Sequence, residues 1–319
     1  MPFSGISGHS RNISVLNRIL GSGRIAHAYL FSGPSGVGKE LVALRFIKAV
    51  FCQSGSACGK CPACRKLESG NHPDLHRLEP DGQFIKIDQI RALQKELGYR
   101  PYEATRKACI IDGAEKFNPS SGNALLKTLE EPPGEAIIML LTSSPESVLP
   151  TIRSRCQQLV FSGVPENDIA ALLVSRGVDS ETARISASLA DGSVGKALAL
   201  CNEGSNQDRI EIITRACGLS LKEMAPLFAF GELFDKDREK ALHSLDLLLG
   251  FWRDMLHIRS GFPDPVNRDL REILSRESGR RSSGTIMEGI ESILRTRQTI
   301  QRNANVRLAM DVLSMKLAA

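Results

Sequence analysis

Three groups of residues have the types and spacing that chemistry needs. The first is Gly33-Pro34-Ser35-Gly36-Val37-Gly38-Lys39-Glu40, a glycine-rich run that ends in lysine. Glycines permit a tight turn, successive backbone N–H groups face phosphate oxygens, and a lysine at a helix start adds positive potential. Such a loop calls for Ser or Thr after the lysine, whose hydroxyl holds magnesium; here the residue is Glu40. Two like charges about 4 Å apart repel by roughly 4 kcal/mol at an effective dielectric constant of about 20. That is up to about a thousandfold in affinity. The run therefore predicts a cradle of Gly33, Gly36, Gly38 and Lys39 with a weakened hold on ATP or ADP. Asp112 ends an apolar run at 108–111, the place for a carboxylate that supports magnesium, although capping the next turn would suit it too. The next residue is Gly113, which cannot orient a water, and Glu115 lies two further on.

The second group is Cys52, Cys58, Cys61 and Cys64, spaced C-x5-C-x2-C-x2-C, with Gly55, Gly59 and Pro62 expected to form tight turns between them. Four thiolates suit tetrahedral zinc, and a closed four-sulfur sphere leaves no open position, so the spacing predicts a structural zinc. The third is Thr151-Ile152-Arg153-Ser154-Arg155-Cys156, where an arginine after a proline can project beyond its own domain. The planar guanidinium fork is what a transferring phosphoryl group needs from a neighbour, though an arginine taken alone is more often a surface ion-pair residue.

These groups need a scaffold that presents them. Strands are expected at 27–32, 108–112, 137–142 and 158–161, with helices at 40–51, 87–97 and 123–131, the last stopped by Pro132-Pro133. Alternation of this kind predicts an α/β domain, a parallel sheet with helices on both faces, over 1–163. Short helices at 166–175, 181–190 and 193–201 predict a small helical domain at 164–204. Longer helical patterns at 239–257, 287–302 and 306–317 predict a third, all-α domain at 205–319. The polar stretch 276–284 (RESGRRSSG) reads as a solvated loop, and Phe251 and Trp252 as helix core or subunit contact. The six histidines show no metal or catalytic spacing and read as packing or surface residues.

The 319 residues carry Lys+Arg 41 against Asp+Glu 36, a net charge of +5 and 42% hydrophobic residues. That composition excludes a disordered or collagen-like chain, and the modest charge does not by itself mark a nucleic-acid binder. No apolar run of about 18 residues appears, and the N-terminus lacks the order of a secretory signal, so a cytoplasmic protein is expected. Crowding of four cysteines into one segment reads as a metal site in a reducing compartment, not a disulfide framework.

Taken together, the chain resembles the clamp-loader family of AAA+ proteins that serve bacterial DNA polymerase III. The resemblance rests on His27-Ala28-Tyr29-Leu30-Phe31, the four-cysteine insert, Asn71-His72-Pro73-Asp74-Leu75, Ile87-Asp88-Gln89-Ile90-Arg91, 123–133 (NALLKTLEEPP), Leu149 through Cys156 and Asn303-Ala304-Asn305 with Leu308. It implies an AAA+ domain, a helical lid and a helical collar through which five subunits form an open ring. That ring loads the sliding clamp onto primed DNA, with tau/gamma motor subunits and a delta subunit as partners. The Ser-Arg-Cys motif implies that Arg155 is an arginine finger acting in trans, with Arg153 as the alternative. Motor subunits sense nucleotide with an arginine in a Gly-Ser-x-Arg pattern, where this chain has Gly192-Ser193-Val194-Gly195. With Glu40, Gly113 and Gly195 replacing three motor residues, the resemblance implies a non-hydrolysing subunit, a pseudo-ATPase. The rivals are an active tau/gamma-type ATPase in which Glu115 supplies the missing carboxylate, and a zinc-dependent DNA-binding module.

Overall fold

The computed structural model describes residues 2–201, 205–235, 237–262, 265–302 and 304–318. Asn303 of the Asn-Ala-Asn signature and the expected boundary residue Gly204 lie outside the described residues. The chain separates into two compact units, 1–172 with 192–196, and 173–191 with 197–319.

In the first unit the elements run α1 (Ser10–Ser22), β1 (Ala28–Ser32), α2 (Lys39–Phe51), α3 (Pro62–Glu68), β2 (Leu75–Leu78), α4 (Ile87–Gly98) and β3 (Ala108–Ile111). They continue as α5 (Pro119–Glu130), β4 (Ile137–Thr142), α6 (Pro150–Arg153) and β5 (Gln157–Val160). The sheet is parallel, in the order β2-β3-β4-β1-β5. Side chains alternate across the pleat, so both faces are apolar. Tyr29, Phe31, Ile110, Met139, Leu141 and Leu159 pack with α1 and α2, while Leu30, Cys109, Ile111, Ile138 and Leu140 pack with α4 and α5. A continuous apolar run such as IIMLLT is therefore required in β4, whose six residues are all buried.

β2 escapes the sequence pattern because its LHRL lies at the sheet edge, where only Leu78 is fully buried. α3 was hidden among the cysteines: Pro62, expected in a turn, instead sits at the first helical position, where its missing N–H costs nothing. The helical turn α6 carries Thr151, Ile152 and Arg153 of the arginine segment, and Arg155 comes between it and β5.

The remaining helices are α7 (Glu166–Ser175), α8 (Ser180–Leu189), α9 (Val194–Leu200), α10 (Ser205–Cys217), α11 (Met224–Glu232), α12 (Arg238–Arg259), α13 (Arg271–Arg280), α14 (Ser283–Gln301) and α15 (Val306–Ala318). The core of the second unit gathers Leu245, Leu248, Phe251, Trp252, Ile293 and Leu313. Trp252 is 1% exposed and faces Gly289, where a Cβ would stand 2.4 Å from the indole nitrogen, so it is core of this chain. The stretch 276–284 is not the expected loop, since α13 and α14 run through most of it. Its polarity is internal: Glu277, 2% exposed, accepts from Arg276 at 2.9 Å and from Arg281. No described helix is long and apolar enough to cross a membrane.

Candidate functional site

The glycine-rich loop joins the C-terminal end of β1 to the start of α2. Gly33 has φ +147, and a Cβ there would lie 2.1 Å from Phe161 O; Gly36 has φ +72, and a Cβ would lie 2.3 Å from Ser193 Oγ. Gly38, φ +104, caps α2. At Gly33 and Gly36 a side chain is thus excluded by backbone and by a neighbouring side chain. The cation the loop presents is already engaged. Lys39, 8% exposed, donates from Nζ to Gly33 O at 2.6 Å and to Pro34 O at 2.8 Å. Burial pushes its pKa below the usual lysine value, with Asp112 and Glu115 opposing.

Glu40 does not stand as an unpaired charge against a phosphate, as the spacing predicts. Its Oε1 lies 3.2 Å from Arg77 Nη1 on β2, so the repulsion worked out from sequence is offset by a partner. The missing hydroxyl is not replaced by that pair. Asp112 is exposed, and its Oδ1 accepts from Gly113 N at 2.9 Å, a turn-capping contact. Glu115 has both carboxylate oxygens engaged, accepting from Thr142 Oγ1 at 2.7 Å and Ser143 Oγ at 2.8 Å. Burial alone would raise its pKa, but these hydroxyls outweigh it and hold the carboxyl below the usual range.

Gly195, at the start of α9 in the Gly192-Ser193-Val194-Gly195 run, donates its N–H to Gly36 O at 2.9 Å. A Cβ on Gly195 would come 3.3 Å from Gly36 Cα, so this segment lies directly on the phosphate loop. Sequence reasoning missed two contacts here. His9, in a left-handed conformation, donates from Nε2 to Val37 O at 2.8 Å and stacks edgewise on Phe161 at 4.9 Å. Arg77 sits on the unrecognised β2, so its pairing with Glu40 had no sequence signal.

Arg155 lies between α6 and β5. Its Nη2 is 2.5 Å from Glu130 Oε1 at the end of α5, and its Nη1 donates to Thr151 O at 3.0 Å. The pair is solvent-facing, with side chains 37% and 50% exposed. Arg153, two residues earlier at the end of α6, is half-buried.

The four cysteine sulfurs lie within 4.8 Å of one another. A tetrahedral zinc with sulfurs at about 2.3 Å sets them roughly 3.8 Å apart, and the Cys61 and Cys52 sulfurs are already at 3.9 Å. Cys58 N donates to Cys52 Sγ and Cys61 N to Cys58 Sγ, both at 3.4 Å, contacts that favour the thiolate a metal needs. The cluster can hold a metal ion such as zinc. The helix α3 that carries Cys64 is tied to the fold twice, through Glu68 to Lys48 of α2 and through Lys66 to Glu103.

Asp74 of the Asn-His-Pro-Asp segment is fully buried and accepts from Tyr102 N, Glu103 N and Ala104 N at 2.7, 2.8 and 2.8 Å. Desolvation raises its pKa, and the three N–H donors outweigh it to leave the carboxyl below its usual value. His72 Nδ1 accepts from Asp74 N at 3.2 Å, and its ring rests 4.8 Å from Phe51, next to Cys52.

A parallel five-stranded sheet carrying a phosphate loop between β1 and α2, an arginine beside the edge strand β5 and a helical second unit define an AAA+ protein. A structure of a DNA polymerase III gamma subunit-related protein from Thermotoga maritima shares this fold, at TM-score 0.55 and 20% identity, covering 95% of this chain and 98% of its own. Residues 8–165 match the family model described as DNA polymerase III, delta subunit. The chain is 33% identical over 314 residues to DNA polymerase III subunit delta' of Bacillus subtilis, covering 96% of this chain and 95% of that one. It is 30% identical to the Pseudomonas aeruginosa subunit delta', covering 90% and 89%. The tau subunit of B. subtilis is 31% identical, but only 47% of its length is covered. The chain belongs to the DNA polymerase III delta' family of clamp-loader subunits.

Proposed function

We propose that the chain is a non-hydrolysing stator in the clamp loader of DNA polymerase III and donates Arg155 in trans to the ATP site of a neighbouring motor subunit. The observation that carries this reading is the state of its own phosphate loop. Lys39 is bound to loop carbonyls, Gly36 O is bound to Gly195 N, and no hydroxyl follows the lysine. A loop so engaged offers little to the β- and γ-phosphates, and Gly113 gives an attacking water no base. Gly33, Gly36, Gly38, Lys39 and Asp112 are on this reading a relic nucleotide site, and Cys52, Cys58, Cys61 and Cys64 hold one structural zinc. Residues 1–163 would be the AAA+ domain, 164–204 the lid and 205–319 the collar. The partners are the tau/gamma and delta subunits, with the sliding clamp and primed DNA reached through the assembly in the cytoplasm.

The test uses the full chain, alone and mixed with motor and delta subunits. A stoichiometric complex is expected on gel filtration, with no magnesium-dependent phosphate release by the pure chain. Release that disappears on Lys39→Ala would sink the reading.

A further inference from the structure

A second cluster of cations lies at the end of the strands opposite the phosphate loop, before the first residues of β3 and β4. A cavity of about 190 Å³ is lined there by Tyr99, Arg100, Arg106, Lys107, Glu135 and Ala136 among others. Lys107 is 2% exposed, its Nζ has no hydrogen-bond partner, and the rings of Tyr99 and Tyr102 lie 5.9 and 5.4 Å from it. Nε of Arg106 is likewise buried and unmatched, while its Nη2 is paired with Glu135 at 2.8 Å. The Nε2 of nearby His76 also lacks a partner. Burial lowers the pKa of His76, and the charge of Lys107 adds to that.

Buried donors are normally satisfied, so unmatched nitrogens gathered beside one cavity mark the place of a missing acceptor. Three of the acidic groups nearby are committed. Glu135 pairs with Arg106, Glu103 with Lys66, and Asp74 takes three backbone N–H groups. Among the lining residues, Arg100, Arg106 and Lys107 outweigh Glu135. Tyr99 and Tyr102 are 49% and 74% exposed. Exposed rings beside cations are the arrangement that holds a single nucleic-acid strand, the bases stacking while the phosphates are neutralised.

We propose that the cavity between the 99–107 segment and residues 133–136 seats a backbone phosphate of single-stranded nucleic acid, with Arg100 and Lys107 as its cations and Tyr102 as the stacking platform. The ring of Tyr102 must turn aside for an oxygen to reach Lys107, and its exposure leaves it free to do so. The site is independent of the nucleotide loop and of the arginine finger.

The test is fluorescence anisotropy of a short labelled oligothymidylate titrated with the full chain at low salt. Tyr102→Ala is expected to weaken binding by about fivefold or more. Arg100→Ala should lower the slope of log affinity against log salt by about 0.7, the share of one single-strand phosphate. Both positions are exposed, so neither variant threatens folding. Arg18→Glu, an exposed site on α1, serves as the charge control and should change affinity less than about twofold. Equal weakening by Arg18→Glu, no measurable binding by the parent chain, or tighter binding of a glutamate-rich peptide than of the oligonucleotide would each overturn the proposal.

Discussion

Arg155 is held by Glu130 in the isolated chain, a pairing that competes with the proposed role in another subunit, and the magnitudes decide. With side chains 37% and 50% exposed, the pair belongs to the solvent-screened class worth about 0.2–1 kcal/mol. An arginine finger contributes about 10³- to 10⁵-fold in rate, or about 4–7 kcal/mol at 1.36 kcal/mol per decade. The intrachain pair is therefore too weak to hold the guanidinium back. The assay is ATP turnover in a loader whose only hydrolysis-competent motor subunit is the one facing this chain, the others carrying lysine-to-alanine changes in their own phosphate loops. Arg155→Ala should lower turnover by about a thousandfold or more, with assembly intact on gel filtration. Glu130→Gln should raise it by no more than about fivefold, the value of about 1 kcal/mol. Arg155→Lys should fall well short of the parent, because an ammonium lacks the planar fork. Turnover within about twofold of the parent for Arg155→Ala would refute the reasoning.

Asp74→Asn should lower stability by about 3 kcal/mol at neutral pH, since at least one of three charge-assisted bonds is lost and the others weaken. Asp74 has a depressed pKa, so its contribution is complete above the unfolded carboxylate value of about 3.9 and disappears as pH falls through the folded value. Urea melts of parent and variant should therefore converge below about pH 4, and a constant gap would contradict this. Cys64→Ser should reduce bound zinc from about one per chain to below about 0.2 by elemental analysis, with a lower Tm. Gly36→Ala should lower Tm more than Gly38→Ala. Both add a side chain at positive φ, but only at Gly36 does it meet an atom, Ser193 Oγ at 2.3 Å.

Much of the first unit was legible because its physics is local. A strand buried on both faces must be apolar throughout, so β1, β3 and β4 stand out as AYLFS, ACII and IIMLLT. The edge strand β2 needs only one buried residue and leaves no such run. The four cysteines announced their convergence through spacing, and the sulfurs do meet. Glu40 was read as a charge without a partner because Arg77 is 37 residues away, and pairing across a sheet is invisible until strand order is known. The same limit hid Glu130, which receives Arg155 from 25 residues away.

The last helix of the cysteine insert, α3, is anchored through Glu68 to Lys48 of the helix that begins at the phosphate loop and through Lys66 to Glu103 of the segment that Asp74 pins. It spans them as a tie rod spans two walls. Were an ion to close the four sulfurs, it would fix this helix through Cys64, so a chelator would loosen the ties of Lys48 and Lys66 together.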